Sequence, residues 1–223
     1  MDASPLAPEI LFLVGPVPIS RPVVTTWVIM IAVVGLCRLG TRRAGIHGGT
    51  LQTVLEITVE TMADQLRDIL RRDPWPFLPL LGTLFVFLVF ANLTTVIPGM
   101  KPPTGHVETP AALAAIVFFS VHFFGIRSRG AVDYAARYLK PNPVLLPLNV
   151  LAEITRTFSL MIRLFGNMMS HEFVIAIVVF MAGLFLPIPF MLLGILIGII
   201  QAYIFTILAA VFIGAAVGNG EGG

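Results

Sequence analysis

Residues 144–186 read VLLPLNVLAEITRTFSLMIRLFGNMMSHEFVIAIVVFMAGLFL, and the reading of this stretch decides the fold. As one helix it would extend some 60 Å at 1.5 Å per residue, about twice the ~30 Å hydrocarbon core of a bilayer. It must therefore tilt strongly, bend or break. Leu186-Pro-Ile-Pro189 interrupts it, and a second apolar run follows over 190–217. The pair predicts a long, strongly tilted C-terminal helical hairpin. Embedded in the first arm are Glu153, Arg156, Arg163, Asn167, His171 and Glu172. A charge at the centre of a membrane helix costs ~2.5–3.5 kcal/mol on insertion scales, so such groups are functional candidates by default. At 100° per residue Arg156 and Arg163 fall within about 20° of one another, and Asn167 lies one turn beyond on the same side. Glu172 points to the opposite side of an ideal helix, about 13 Å along the axis from Arg163. These two residues are expected to serve different compartments of one site and not to form a simple ion pair.

Outward from the hairpin the chain stays apolar. Of its 223 residues 57% are hydrophobic and 12% charged, with a mean hydropathy of +0.94. Soluble domains carry about 25% charged residues, so a water-soluble domain is excluded and no second, soluble catalytic domain fits. The net charge of +2 makes nucleic acid a poor partner despite a pI near 9.0. The single Cys37 excludes an intrachain disulfide. The first nine residues lack the basic n-region of a cleavable signal, so the N-terminus is expected to be retained.

Three further spans are expected, over 22–39, 74–97 and 109–126, which with the two hairpin arms (144–186 and 190–217) makes five. Residues 50–72 differ in kind. Leu51, Leu55, Val59, Met62, Leu66, Ile69 and Leu70 recur at helical spacing, while Glu56, Glu60, Asp64, Arg67, Asp68 and Arg71 take the other faces. This segment is too polar to span and predicts an amphipathic interfacial helix. Arg38, Arg42 and Arg43 after the first span, and Arg127, Arg129, Arg137 and Lys140 after the third, mark cytoplasmic loops. The positive-inside rule then puts the N-terminus outside and the C-terminus in the cytoplasm. No internal repeat and no strand-period segment competes. The expected fold is an all-α integral membrane protein forming a single membrane domain.

The run Arg163-Leu-Phe-Gly-Asn-Met168, followed by Glu172 and by Gln201-Ala-Tyr-Ile-Phe205 in the next helix, resembles subunit a of the F-type ATP synthase. Leu51-Gln-Thr-Val-Leu-Glu56, Asn92 with Pro98, Pro103-Thr104 and the 147–153 approach are similar to that family too. The resemblance implies a stator subunit of the Fo motor, not an enzyme on its own. Its partners would be the c-ring, the b subunits of the peripheral stalk, membrane lipid and the transported H+ or Na+, with no cofactor. It implies that Arg163 faces the ring carboxylates, that Asn167 and Gln201 supply hydrogen bonds in the passage, and that Glu172 belongs to the outer half-channel. Some members place a His or Glu seven residues before the Gln, where this chain has Gly194. His171 is read as filling the volume and titratable role left by Gly194. The family's loop often carries Asp and Asn after Pro-Thr or Pro-Ser, whereas here His106 and Glu108 occupy it. With Asn92 these are the candidates for the channel mouth.

Arg suits such a role because its guanidinium stays protonated and so attracts a carboxylate without carrying the transported proton. Other readings fall away on the sequence. His171-Glu172 is not the start of a HExxH zinc site, because Ile175 stands where the second His belongs. A nucleotide loop of the GxxxxGK[ST] type is absent, so ATP chemistry would belong to another subunit. A self-contained carrier would show repeated halves. Gly194-x-x-x-Gly198 predicts close approach to another helix.

Overall fold

The computed structural model describes residues 10–14, 17–41, 50–96, 102–139, 144, 146–183 and 187–218. Arg42, Arg43, Pro98, Lys101, Lys140 and the tail beyond Gly218 lie outside the described residues. A short antiparallel ribbon opens the chain, β1 (Ile10–Val14) and β2 (Val17–Ser20), with Ile10 opposite Ser20 and Val14 opposite Val17. The sequence reading has no strand here. Four or five residues are too few for a period to show, and Pro18 is tolerated because every strand of a two-stranded ribbon is an edge.

Helices then follow throughout: α1 (Arg21–Thr41), the amphipathic α2 (Thr50–Leu70), α3 (Leu78–Leu93), α4 (Glu108–Arg129), α5 (Ala131–Leu139), α6 (Leu146–Ala182) and α7 (Pro187–Val217). Short 3-10 turns at Thr94–Val96 and Pro103–Gly105 lie between α3 and α4. Helices α1, α4, α6 and α7 are long and apolar enough to cross a membrane, and α3 is a shorter apolar helix of 16 residues. The chain is an all-α integral membrane protein. On α2 the exposed charges, among them Asp64, Arg67 and Asp68, oppose a buried edge of Ala63, Leu66 and Leu70.

Helix α6 is continuous over 37 residues, about 55 Å, so its excess length is not relieved by a break. Gly183 closes it at φ +76°, a conformation that costs a residue without Cβ nothing. Pro187 and Pro189 do not form the interruption expected at 186–189. They sit in the first turn of α7, where a missing N–H is no loss.

Helix α7 is the hub and packs against α2, α3, α4 and α6. Gly194, Gly198, Ala202, Phe205, Ala209 and Ile213 make its buried stripe. Leu81, Leu84 and Leu88 on α3, and Leu113, Val117 and Val121 on α4, are the complementary apolar faces. The outward side of α6 remains apolar and exposed, with Leu148, Leu151, Phe158 and Phe180 uncovered.

Candidate functional site

Helix α6 presents two rows side by side. Leu160, Leu164 and Met168, at i, i+4 and i+8, are buried against the bundle. Arg163, Asn167 and His171 form the adjoining row at the same spacing, so each polar group sits beside the packed seam without occupying it.

On one side of Arg163 lies an open cleft of about 460 Å³ between α6 and α7, walled by Leu151, Thr155, Ser159, Leu208 and Phe212. Arg156 and Arg163 both line it. Arg156 is engaged: Nη1 lies 3.8 Å from Glu153 Oε2, and its guanidinium carbon stands 4.8 Å from the centroid of the Phe212 ring. The Arg163 guanidinium has no hydrogen bond or ion pair among the described residues. A half-buried permanent cation is thus offered toward an apolar, open cleft.

On the other side the site closes. Asn167 Nδ2 donates to Gln201 Oε1 at 2.7 Å, joining α6 to α7. Asn92 on α3 donates from Nδ2 to the Gly198 carbonyl at 2.8 Å and accepts from Thr104 Oγ1 at 3.0 Å. The imidazole of His171 lies directly over Gly194, in the space a side chain there would need. Asn92, Asn167, His171, Gly194 and Gln201 surround a small cavity of about 10 Å³, at the lower limit for one water. Gln201 Nε2 and His171 Nε2 are buried without a protein partner. An unsatisfied buried polar atom costs ~1–3 kcal/mol, so the polar lining of this pocket is not fully satisfied by the described residues.

Further along α6, Glu172 turns away from this pocket toward the Pro103–Gly105 turn, its Oε1 2.6 Å from where a Cβ on Gly105 would lie. No ion pair joins it to Arg163 among the described residues. Next to that turn, His106 is half-buried, and Glu108 is exposed in the first turn of α4. Of the three residues grouped at the channel mouth, Asn92 stands apart: at 2% exposure it is buried, as is Gln201, whereas Asn167 lies at the exposed margin of the pocket.

The structure also gives partners to groups for which sequence reading named none. Thr104 is fully buried as the partner of Asn92, and Gly105 and Gly198 make room for Glu172 and Asn92. Their signal was slight: a Pro-Thr-Gly turn and a Gly whose contact could be with any helix. His122 on α4, a further intramembrane imidazole, is held by the Phe118 carbonyl at 2.8 Å and by the rings of Phe118 and Tyr134. It takes no part in the cluster. Among the described residues no group of His, Cys, Asp or Glu could hold a metal ion.

The fold and site together define an integral membrane protein with a row of polar residues on its longest helix, joined to the next helix by the Asn167–Gln201 bond. The sequence pattern of the ATP synthase A chain family matches residues 23–214. Similar curated proteins are ATP synthase subunit a 2 of a Bradyrhizobium species, 60% identical over 98% of both chains, and ATP synthase subunit a 1 of Chlorobium luteolum, 44% identical over 91% of this chain and 92% of the relative. Subunit a 1 of Hahella chejuensis is 43% identical over 91% of this chain and 86% of its own. The chain belongs to the ATP synthase A chain family.

Proposed function

We propose that this chain is the stator subunit of a bacterial Fo motor, with Arg163 as the cation that ring carboxylates meet between two aqueous half-channels. It acts beside a c-ring and the b subunits of a peripheral stalk, in the plasma membrane, with the N-terminus outside and the C-terminus in the cytoplasm. The spans are 22–39, 74–97, 109–126, 144–186 and 190–217, with 50–72 at the cytoplasmic interface.

One observation carries the reading: of the two arginines of α6, Arg163 has no hydrogen bond or ion pair among the described residues, and it lines the open cleft one residue from Leu164 on the wall of the polar pocket. An ion from the outer side passes Glu172, His171 and the Asn167–Gln201 pair and neutralises a ring carboxylate. The carboxylate then travels through lipid until it returns to the cleft side, releases its ion and is drawn to Arg163. His106 and Glu108 stand at the outer mouth. A fixed cation between the two sides also repels any ion attempting a direct crossing. The electrical driving force is about 2.3 kcal/mol per charge per 100 mV. The ion is H+ or Na+, as the ring's own ligands decide.

The test is ATP-driven ion pumping by the whole complex in inverted membrane vesicles. Arg163→Ala is expected to abolish coupled pumping while leaving subunit a assembled, because the guanidinium makes no hydrogen bond or ion pair among the described residues. Pumping at the wild-type rate overturns the assignment.

A further inference from the structure

At the end of the bundle opposite the polar pocket, two arginines from separate parts of the chain converge on the last turn of α7. Arg129, the final residue of α4, donates from Nε to the Val217 carbonyl at 2.8 Å. Arg72, just beyond α2, donates from Nη2 to the Gly218 carbonyl at 2.9 Å and reaches Ser128 Oγ from Nη1 at 3.4 Å. Gly218 adopts φ +83°, its N–H bonds the Gly214 carbonyl at 2.9 Å, and the Arg129 guanidinium occupies the space a Cβ there would take. These donors meet orphan carbonyls at the negative end of a helix dipole, where charge-assisted bonds are strong.

The consequence concerns the axial position of α7. Small residues predominate on its packed stripe, including Gly194, Gly198, Ala202, Ala209 and Ala210. Gly194 and Gly198 seat His171 and Asn92 and so interlock at the pocket end, whereas towards the far end the small-residue surface is apolar and apolar contact has no direction of its own. Directional bonds therefore carry the register. At the pocket end there are Asn92 on the Gly198 carbonyl and the Asn167–Gln201 bond, and at the far end, about 30 Å away along the helix, there are Arg72 and Arg129. A slip of one residue moves Gln201 by 1.5 Å and turns it by 100°, enough to break its 2.7 Å bond with Asn167.

We propose that Arg72 and Arg129 are positioning residues for the ion path: by gripping the last carbonyls of α7 they fix the register of the helix that carries Gln201. The effect on pumping rests on the function proposed above, whereas the position of α7 can be read without it.

The experiment uses the assembled complex with Cys37→Ala, Asn92→Cys and Gly198→Cys as a register reporter. The Cβ of Asn92 lies 2.8 Å from that of a side chain at 198, so small adjustment reaches the ~3.8 Å of a disulfide. The reporter also removes the Asn92–Gly198 bond, leaving the arginines and the single Asn167–Gln201 bond to hold the register. Adding Arg72→Ala with Arg129→Ala is expected to slow cross-linking about tenfold, the scale of one lost charged hydrogen bond. Unchanged cross-linking overturns the proposal, whatever pumping does. In the otherwise native chain, Arg129→Ala is expected to lower pumping several-fold and Arg129→Lys, which keeps a donor, to restore most of it; equal loss in both counts against register control. Should the double variant not assemble, Gly218→Ala serves. It strains φ and displaces Arg129 while keeping both arginines, and normal cross-linking and pumping in it overturn the proposal.

Discussion

The seat of His171 on Gly194 makes a quantitative demand. A methyl at 194 would fall within contact of His171 Nε2 and Cε1 and 2.8 Å from Cδ2, closer than side-chain carbons approach. Either the imidazole leaves the pocket or α6 and α7 separate by about 1 Å, which would stretch the 2.7 Å Asn167–Gln201 bond one turn away beyond hydrogen-bonding range. Overpacking of this kind costs about 1–3 kcal/mol, equivalent to a fall of roughly 2–12 °C in the midpoint for a chain of this size. His171→Ala alone leaves a void and is also destabilising. Together the two changes complement one another, since the methyl at 194 enters the space the ring gave up. The double variant should be more stable than Gly194→Ala alone, with a coupling of about 1–3 kcal/mol. The assay is the thermal midpoint for loss of coupled pumping in the purified complex, taken for wild type, both single variants and the double. Additive losses within about 0.5 kcal/mol would refute the reasoning. The exchange His171→Gly with Gly194→His extends the test to function: it should pump faster than His171→Gly, and equal rates would show that the shared space has no part in the ion path.

Arg163→Lys should pump far below wild type at matched abundance, because an ammonium lacks the planar fork and is more strongly hydrated; a Lys variant with normal coupled pumping would remove the case for a guanidinium. For Glu172, Gln should slow pumping strongly and Asp should retain part of the rate, since only Asp keeps the charge; wild-type pumping with Gln would take Glu172 out of the path and leave Arg163 untouched. Asn92→Ala removes the acceptor of a fully buried Thr104 hydroxyl and the donor to Gly198, so it should destabilise the complex by about 2–4 kcal/mol. A thermal midpoint within 1 °C of wild type would show that this link bears no load.

The membrane helices were legible because their signal is local. A bilayer leaves backbone polar groups no partner except one another, so long apolar runs become helices whatever surrounds them. Charges buried in such a run announce a site for the same reason, and the 100° turn of the helix set Arg163 and Glu172 on opposite sides before any packing was known. The ribbon at Ile10–Ser20 escaped because each strand is shorter than the period that would reveal it. Helix ends moved by several residues, since Pro187 is as good a first residue as it is a breaker, and Gly183 closes α6 through a backbone angle that sequence does not display.

What the sequence alone determined is therefore the long apolar helices and the amphipathic α2, though not the short α5 in what reads as a loop, together with the polar residues placed on α6. The seat of His171 at Gly194 is already expected from the sequence, whereas tertiary packing decided that Gly198 takes Asn92 and that Gly105 lies under Glu172. It also buried Asn92, and it engaged Arg156 with Glu153 and Phe212 while giving the Arg163 guanidinium no ion pair or hydrogen bond among the described residues. The physical reason is one of range. Burial in lipid and helical periodicity act through neighbours along the chain, whereas a space opened by a missing Cβ is filled by a residue from another helix, and only the assembled bundle selects which one.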